Sequence, residues 1–238
     1  MIATQLILVE GPPGSGKSTT AYLLAEKIRR AGRSCACHLE WDADHPIPIG
    51  SDLALENVIA TARQREAQML DHWQRFARER QAGQTLSIVE SRFWQTSLML
   101  MYAGGHPLDG LFETQRQVVE ALLPLKPVLI LYTIDDLRAF TLRTIVVKEA
   151  EWQSGGFPGT WAGHIYAALD GAPWFAARGL SGEDAYLAFL EEWAGVCQRL
   201  YQRLPFQKIQ INNPYLDWAG SARQVDAFLN LDVEEQTV

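Results

Sequence analysis

The sequence predicts an α/β fold, a five-stranded parallel sheet with helices on both faces. Short apolar runs, each the length of a buried strand, alternate with longer segments of helical period along the whole chain. A glycine-rich turn separates the first apolar run from the first helical segment. No internal repeat or low-complexity stretch interrupts the alternation. With 238 residues, 47% of them hydrophobic and 21% charged, the chain can bury a sizeable core without disulfides or metals. We read residues 1–238 as one domain, with a glycine- and aromatic-rich lid over 152–179.

The elements follow in order. Residues 5–10 (QLILVE) are too short for a helix and apolar enough for a buried strand. Residues 11–16 break that run, and 17–30 carry a helical pattern that Gly32 stops. Residues 34–40 form a second strand, which ends in the polar, proline-containing stretch 41–46. Apolar residues three and four apart predict a long helix over 52–80, with Glu66 the break in its stripe. A third strand covers 86–90, helical stretches follow at 94–102 and 110–123, and Pro127 opens a fourth strand over 128–133. Asp135 is expected to cap a helix running to 149. Residues 152–179 read as irregular. A helix over 182–203, a fifth strand over 207–211 and a closing helix over 221–229 complete the pattern.

The net charge is −7, and lysine and arginine are scattered, which argues against a nucleic-acid partner. Cys35, Cys37 and Cys197 make no metal or disulfide framework. No signal-peptide pattern precedes the first strand and no apolar run has the length of a bilayer span. A cytoplasmic location without membrane contact is expected, and a homodimer is left open.

The chemistry is concentrated in Gly11-Pro12-Pro13-Gly14-Ser15-Gly16-Lys17-Ser18, followed by Thr19, which fits the Walker A pattern of P-loop nucleotide-binding proteins. Glycines let the backbone turn its N–H groups toward phosphates, and the following helix adds its positive dipole end. Lys17 is expected to reach the β- and γ-phosphates of ATP, and Ser18 to offer its hydroxyl to Mg2+. The motif lies between a buried strand and a helix, the context it requires.

The opening LILVEGPPGSGKSTTAYLLAEKIRRAG resembles the start of nucleoside and nucleotide kinases, adenylate and thymidylate kinases among them. Ser87-Ile88-Val89-Glu90-Ser91-Arg92-Phe93, with Ser97 shortly after, is similar to the aspartate-arginine-tyrosine segment of thymidylate kinases. It is equally similar to the glutamate-arginine-serine segment of deoxynucleoside kinases. The resemblance implies that Glu90 lies beside the transferred phosphate and that Arg92 holds acceptor or phosphate. The chemistry needs a carboxylate there either to accept the substrate's proton or to organise Mg2+, which Glu90 would reach through water. Ser91 separates Glu90 from Arg92 and shifts their register relative to both families. In kinases of this kind the end of strand two faces the acceptor, which places Glu40, Asp42, Asp44 and His45 there. Carboxylates suit hydroxyl groups or a cation and repel an acceptor already phosphorylated. The same segment also reads as a solvated loop with self-capping aspartates.

Glu90 is the first candidate for the catalytic carboxylate. Asp135 or Asp136, past the fourth strand, is the alternative. Arg143, Arg138 and Lys148 lie on the helix leading to the lid, where related kinases keep arginines that stabilise the transferring phosphate. Helical geometry forbids all three from facing one site, and Arg143 and Lys148, closer to the lid, are the favoured candidates, with Arg143 the catalytic choice. The leading expectation is therefore ATP-dependent phosphoryl transfer to a hydroxyl of a small molecule (a nucleoside, metabolite or natural product). An antibiotic-modifying enzyme similar in outline to chloramphenicol phosphotransferase is one version. A hydrolase or nucleotide switch is the competing class, although no N-K-x-D segment for reading guanine is present.

Overall fold

The computed structural model describes residues 4–48 and 66–231. Its sheet has the order β2-β3-β1-β4-β5, built from Leu6–Glu10 (β1), Cys35–His38 (β2), Leu86–Glu90 (β3), Val128–Thr133 (β4) and Gln207–Asn212 (β5). Every pairing is parallel, with Val9 opposite both Glu90 and Ile130. The crossovers include α1 (Lys17–Arg30), α2 (Glu66–Gln81), α3 (Leu98–Ala103), α4 (Leu108–Leu122), α5 (Leu137–Ser154), α6 (Trp161–Asp170), α7 (Pro173–Ala176) and α8 (Gly182–Gln202), and α9 (Trp218–Leu229) follows the last strand.

The inner strands β1, β3 and β4 are buried on both faces, which is why they read as nearly continuous apolar runs. Alternation still sorts the side chains. Ile7, Val9, Ile88 and Ile130 meet α1 and α9 through Leu24, Ile28, Val225 and Leu229. Leu6, Leu8, Val89 and Leu131 meet the larger layer, where Trp73, Phe76, Leu122, Phe189 and Val196 pack. Cys35 is buried on the α1 side, and Cys37 packs against the same cluster.

Four details correct the expectations. The second strand ends at His38, because the Asp42 carboxylate accepts the Leu39 N–H and turns the chain. The first helical turn after β3 begins at Leu98 rather than 94, since residues 93–95 spend their N–H groups on a carboxylate described below. The cap of α5 is Asp136, which accepts the Ala139 N–H, and not Asp135. Residues 152–179 are largely helical: Thr160 caps α6, the Glu149 carboxylate takes the N–H groups of Trp161 and Ala162, and Pro173 starts α7. Trp174 and Phe175 are buried against Phe189, whereas Phe157 is exposed. The part of the predicted long helix before Glu66 lies outside the described residues. Among the described residues, no helix is long and apolar enough to cross a membrane.

Candidate active site

The loop from Gly11 to Gly16 joins the end of β1 to the start of α1, at the carboxyl edge of the sheet. Its glycines hold backbone conformations that other residues rarely adopt, with φ of 151° at Gly11, 79° at Gly14 and 87° at Gly16. Space is equally restrictive. A Cβ on Gly11 would lie 2.8 Å from Tyr132 Cβ, and one on Gly14 would lie 2.7 Å from the Thr144 side chain. Ser15 is buried, and its hydroxyl has no partner among the described residues. Pro12 and Pro13 are half-buried, and Ser18 and Thr19 are exposed on the first turn of α1. Lys17 is buried, donates from Nζ to the Pro12 carbonyl at 3.0 Å and stands 3.9 Å from Glu90 Oε1.

Glu90 ends β3 and is buried. Its Oε2 accepts the Glu40 N–H at 2.9 Å, and Oε1 accepts from the Ser91 hydroxyl. Ser91 itself sits at φ 61°, a strained conformation for a residue with a side chain. That residue accounts for the shifted register. It carries Arg92 toward β2, where Nη2 donates to the Glu40 carbonyl. Arg92 is buried, and its Nε and Nη1 find no partner among the described residues. Burial pulls its guanidinium down to about 10, against the pull of Glu40 and Glu90.

Glu40 is brought into this group. Burial pushes its carboxyl up to about 7, while Lys17 pulls it down. Gln95 Nε2 and Thr96 Oγ1 lie 3.4 and 3.1 Å from its Oε1. His45 is buried nearby; its Nδ1 accepts the Ile47 N–H at 2.9 Å, leaving Nε2 without a partner among the described residues. Burial, with the Arg92 charge second, pushes that imidazole down to about 3. Asp42 is occupied in the turn and Asp44 is exposed, so these two fit the self-capping loop better than the cluster.

The residue that sequence reasoning passed over is Glu10. It is 1% exposed at the end of β1, and it accepts the N–H groups of Phe93, Trp94 and Gln95 at 2.9, 3.0 and 3.2 Å. Burial pushes its carboxyl up to about 8, while these backbone donors and Lys17 pull it back and Glu90 adds repulsion. The available signal was a carboxylate closing a fully apolar strand directly before the glycine loop.

The remaining candidates lie apart. Asp135 is exposed and held below the usual carboxylate range by the side-chain amides of Asn212 and Asn213, at 2.6 and 2.7 Å. Arg143 is exposed and lies over the Tyr215 ring, 5.6 Å from its centroid, one residue before the Thr144 that abuts Gly14. Arg138 pairs with Asp184 at 2.6 Å and Lys148 with Glu151 at 2.7 Å, both on the surface. A cleft of about 360 Å3 opens beside the loop on the α8 side of the sheet, with Glu10 and Gly11 to Pro13 in its wall.

No family model matches the chain, and no curated protein matches it. Among solved structures, the chain is similar to an uncharacterized protein from Eubacterium ventriosum ATCC 27560, with 10% identity and a TM-score of 0.41 over 95% of this chain and 98% of that one. It is similar to a GTPase in apo form from Pyrococcus abyssi, with 11% identity and a TM-score of 0.41 over 97% and 98%. A full-length tRNA isopentenylpyrophosphate transferase from Bacillus halodurans gives 12% identity and a TM-score of 0.40 over 95% and 96%.

Proposed function

We propose that the protein is a P-loop phosphotransferase that moves the γ-phosphoryl group of ATP to a hydroxyl of a small molecule. The observation that carries this reading is the placement of Lys17. It is buried at the start of α1, behind a loop whose glycines leave no room for a Cβ, and it stands 3.9 Å from the Glu90 carboxylate on the neighbouring strand. Such a loop offers backbone N–H groups and a helix N-terminus to phosphate, with Lys17 as the point charge.

The roles divide by position. Gly11, Pro12, Pro13, Gly14, Ser15, Gly16, Lys17, Ser18 and Thr19 hold the nucleotide. Ser18, and Glu90 through a water, would hold magnesium, which when bound neutralises phosphate charge. The acceptor's hydroxyl oxygen forms a bond to the γ-phosphorus as the bond from that phosphorus to the β–γ bridging oxygen breaks. ADP keeps the electron pair of the broken bond, and the hydroxyl proton passes to Glu90. In this reading Arg92, Glu40 and His45 face the acceptor side, while Arg143, held over Tyr215, would reach the transferring phosphate only by leaving that ring.

The test is transfer of labelled γ-phosphate from ATP-magnesium to a mixed panel of nucleosides, nucleoside monophosphates, sugars and hydroxyl-bearing antibiotics, with Lys17→Ala as control. Lys17-dependent labelling of an acceptor supports the reading. Rapid phosphate release that no acceptor accelerates would replace it with a hydrolase.

A further inference from the structure

The cleft beside the loop has a one-sided chemistry. Its apolar wall includes Met99, Leu131 and Trp193, which suit a flat or hydrocarbon body. Among the described residues its charged lining residues are Glu10 and Asp135, and no lysine or arginine lines it. Gln95 closes the inner end. It is 9% exposed, its backbone N–H is spent on Glu10, and its side-chain Oε1 has no partner among the described residues. A buried acceptor oxygen without a donor is expensive, so this atom is available to a hydroxyl or ammonium group of a ligand. The cleft's volume of about 360 Å3 lies in the range of small-molecule sites.

We infer that this cleft seats the body of the acceptor, and that the acceptor is an uncharged or cationic hydroxyl compound with an apolar or aromatic body and no phosphate of its own. The inference rests on the phosphotransfer reading for the word acceptor, but its ligand class follows from the lining alone. A phosphate monoester here would carry close to two negative charges past the Asp135 carboxylate, with no lining cation among the described residues, at a desolvation cost that nothing returns. An alcohol meets apolar walls and a free carbonyl oxygen instead. Glu10 and Pro12 are shared between the cleft and the loop, and the Pro12 carbonyl takes the Lys17 ammonium. A hydroxyl at the inner end therefore lies at the wall from which a phosphoryl group would arrive. Gln95 also reaches Glu40, which ties this end to the Arg92 cluster.

The experiment measures binding apart from chemistry. Tryptophan fluorescence and calorimetry would follow matched pairs of probes, nucleosides against their monophosphates and aromatic amino alcohols against their phosphate esters. A fluorescent ATP analogue would report the nucleotide site separately. At least one uncharged or cationic parent should bind, and at least about 10-fold more tightly than its phosphate. Ala194→Trp and Gly195→Phe should each weaken that parent about 10-fold and leave the ATP analogue within about 2-fold. Both positions line the cleft at its exposed mouth, and a Cβ on Gly195 meets nothing within 4 Å, so neither change crowds the core. Equal affinity for the phosphates, no binding by any parent, or no effect of either substitution would overturn the inference. Failure of the ATP analogue to bind the unaltered protein would instead remove the phosphotransfer reading, while the probe ranking would still decide the ligand class.

Discussion

Replacing Glu10 by alanine should destabilise the protein by about 3–5 kcal/mol, which is large for one polar residue. Its carboxylate satisfies three backbone donors, at Phe93, Trp94 and Gln95, in a place 1% exposed to solvent. Each buried donor left without a partner costs about 1–3 kcal/mol. Water entering the vacated space returns part of the sum, which brings the expectation to the lower half of the range. For a chain of 238 residues that loss lowers Tm by roughly 6–20 °C. Glu10→Gln should cost about 1–3 kcal/mol, because it keeps Oε1 for Phe93 and Trp94 but turns an NH2 toward the Gln95 N–H. Urea unfolding followed by tryptophan fluorescence measures both. The pH dependence has a definite sign. Glu10 holds its proton in the folded state up to about 8, whereas the unfolded chain releases it near 4.5. The stabilisation is complete below 4.5 and is lost as pH rises toward 8, so stability falls across that window. Glu10→Gln should flatten the fall, leaving the smaller share from Glu40, whose window closes near 7. An alanine variant within about 0.5 kcal/mol of the parent would refute the claim that this carboxylate organises the turn after β3.

Lys17→Ala should abolish nucleotide binding, and Glu90→Gln should keep it while lowering transfer by about 10²-fold or more, as read by calorimetry and phosphate labelling. Gly14→Ala places a Cβ against Thr144 at a φ of 79° and should cost about 1–3 kcal/mol in urea unfolding as well as nucleotide affinity. Arg138→Ala and Lys148→Ala each remove a surface ion pair and should leave transfer within about 2-fold and stability within about 1 kcal/mol. A deep loss of transfer in either variant would place that residue at the phosphates after all.

The sequence made legible what is local. Strands β1, β3 and β4 are apolar runs with turn residues at both ends, and the glycine spacing of the loop fits within eight residues. What it hid is set by distant partners. Glu10 reads as the last letter of a strand, and the donors that define its role are 83 to 85 residues further on. Adjacent aspartates at 135 and 136 are equal as letters. Only the fold gives the cap to Asp136 and hands Asp135 to the asparagines at the end of β5, Asn212 and Asn213. Most glycines of 152–179 concealed α6 and α7 because they occupy the turns, with φ of 72° at Gly156 and 70° at Gly159, while Thr160 and Pro173 start helices between them and Gly163 sits within α6.

The strand order then explains why three carboxyls meet at all. Parallel neighbours lie about 4.8 Å apart, so acids that end β1 and β3, with a third just past β2, fall within Coulomb range of one another. Fully ionised, Glu10, Glu40 and Glu90 would outnumber the two cations present, Lys17 and Arg92, and would repel a polyphosphate. Burial changes the count. Burial pushes Glu10 up to about 8 and Glu40 up to about 7, which withdraws part of that negative charge. The same burial makes Glu10 and Glu40 costly to ionise beside Lys17, whose charge pulls both back down. A sheet that crowds acids at its carboxyl edge therefore repels an anion less than the number of acids suggests.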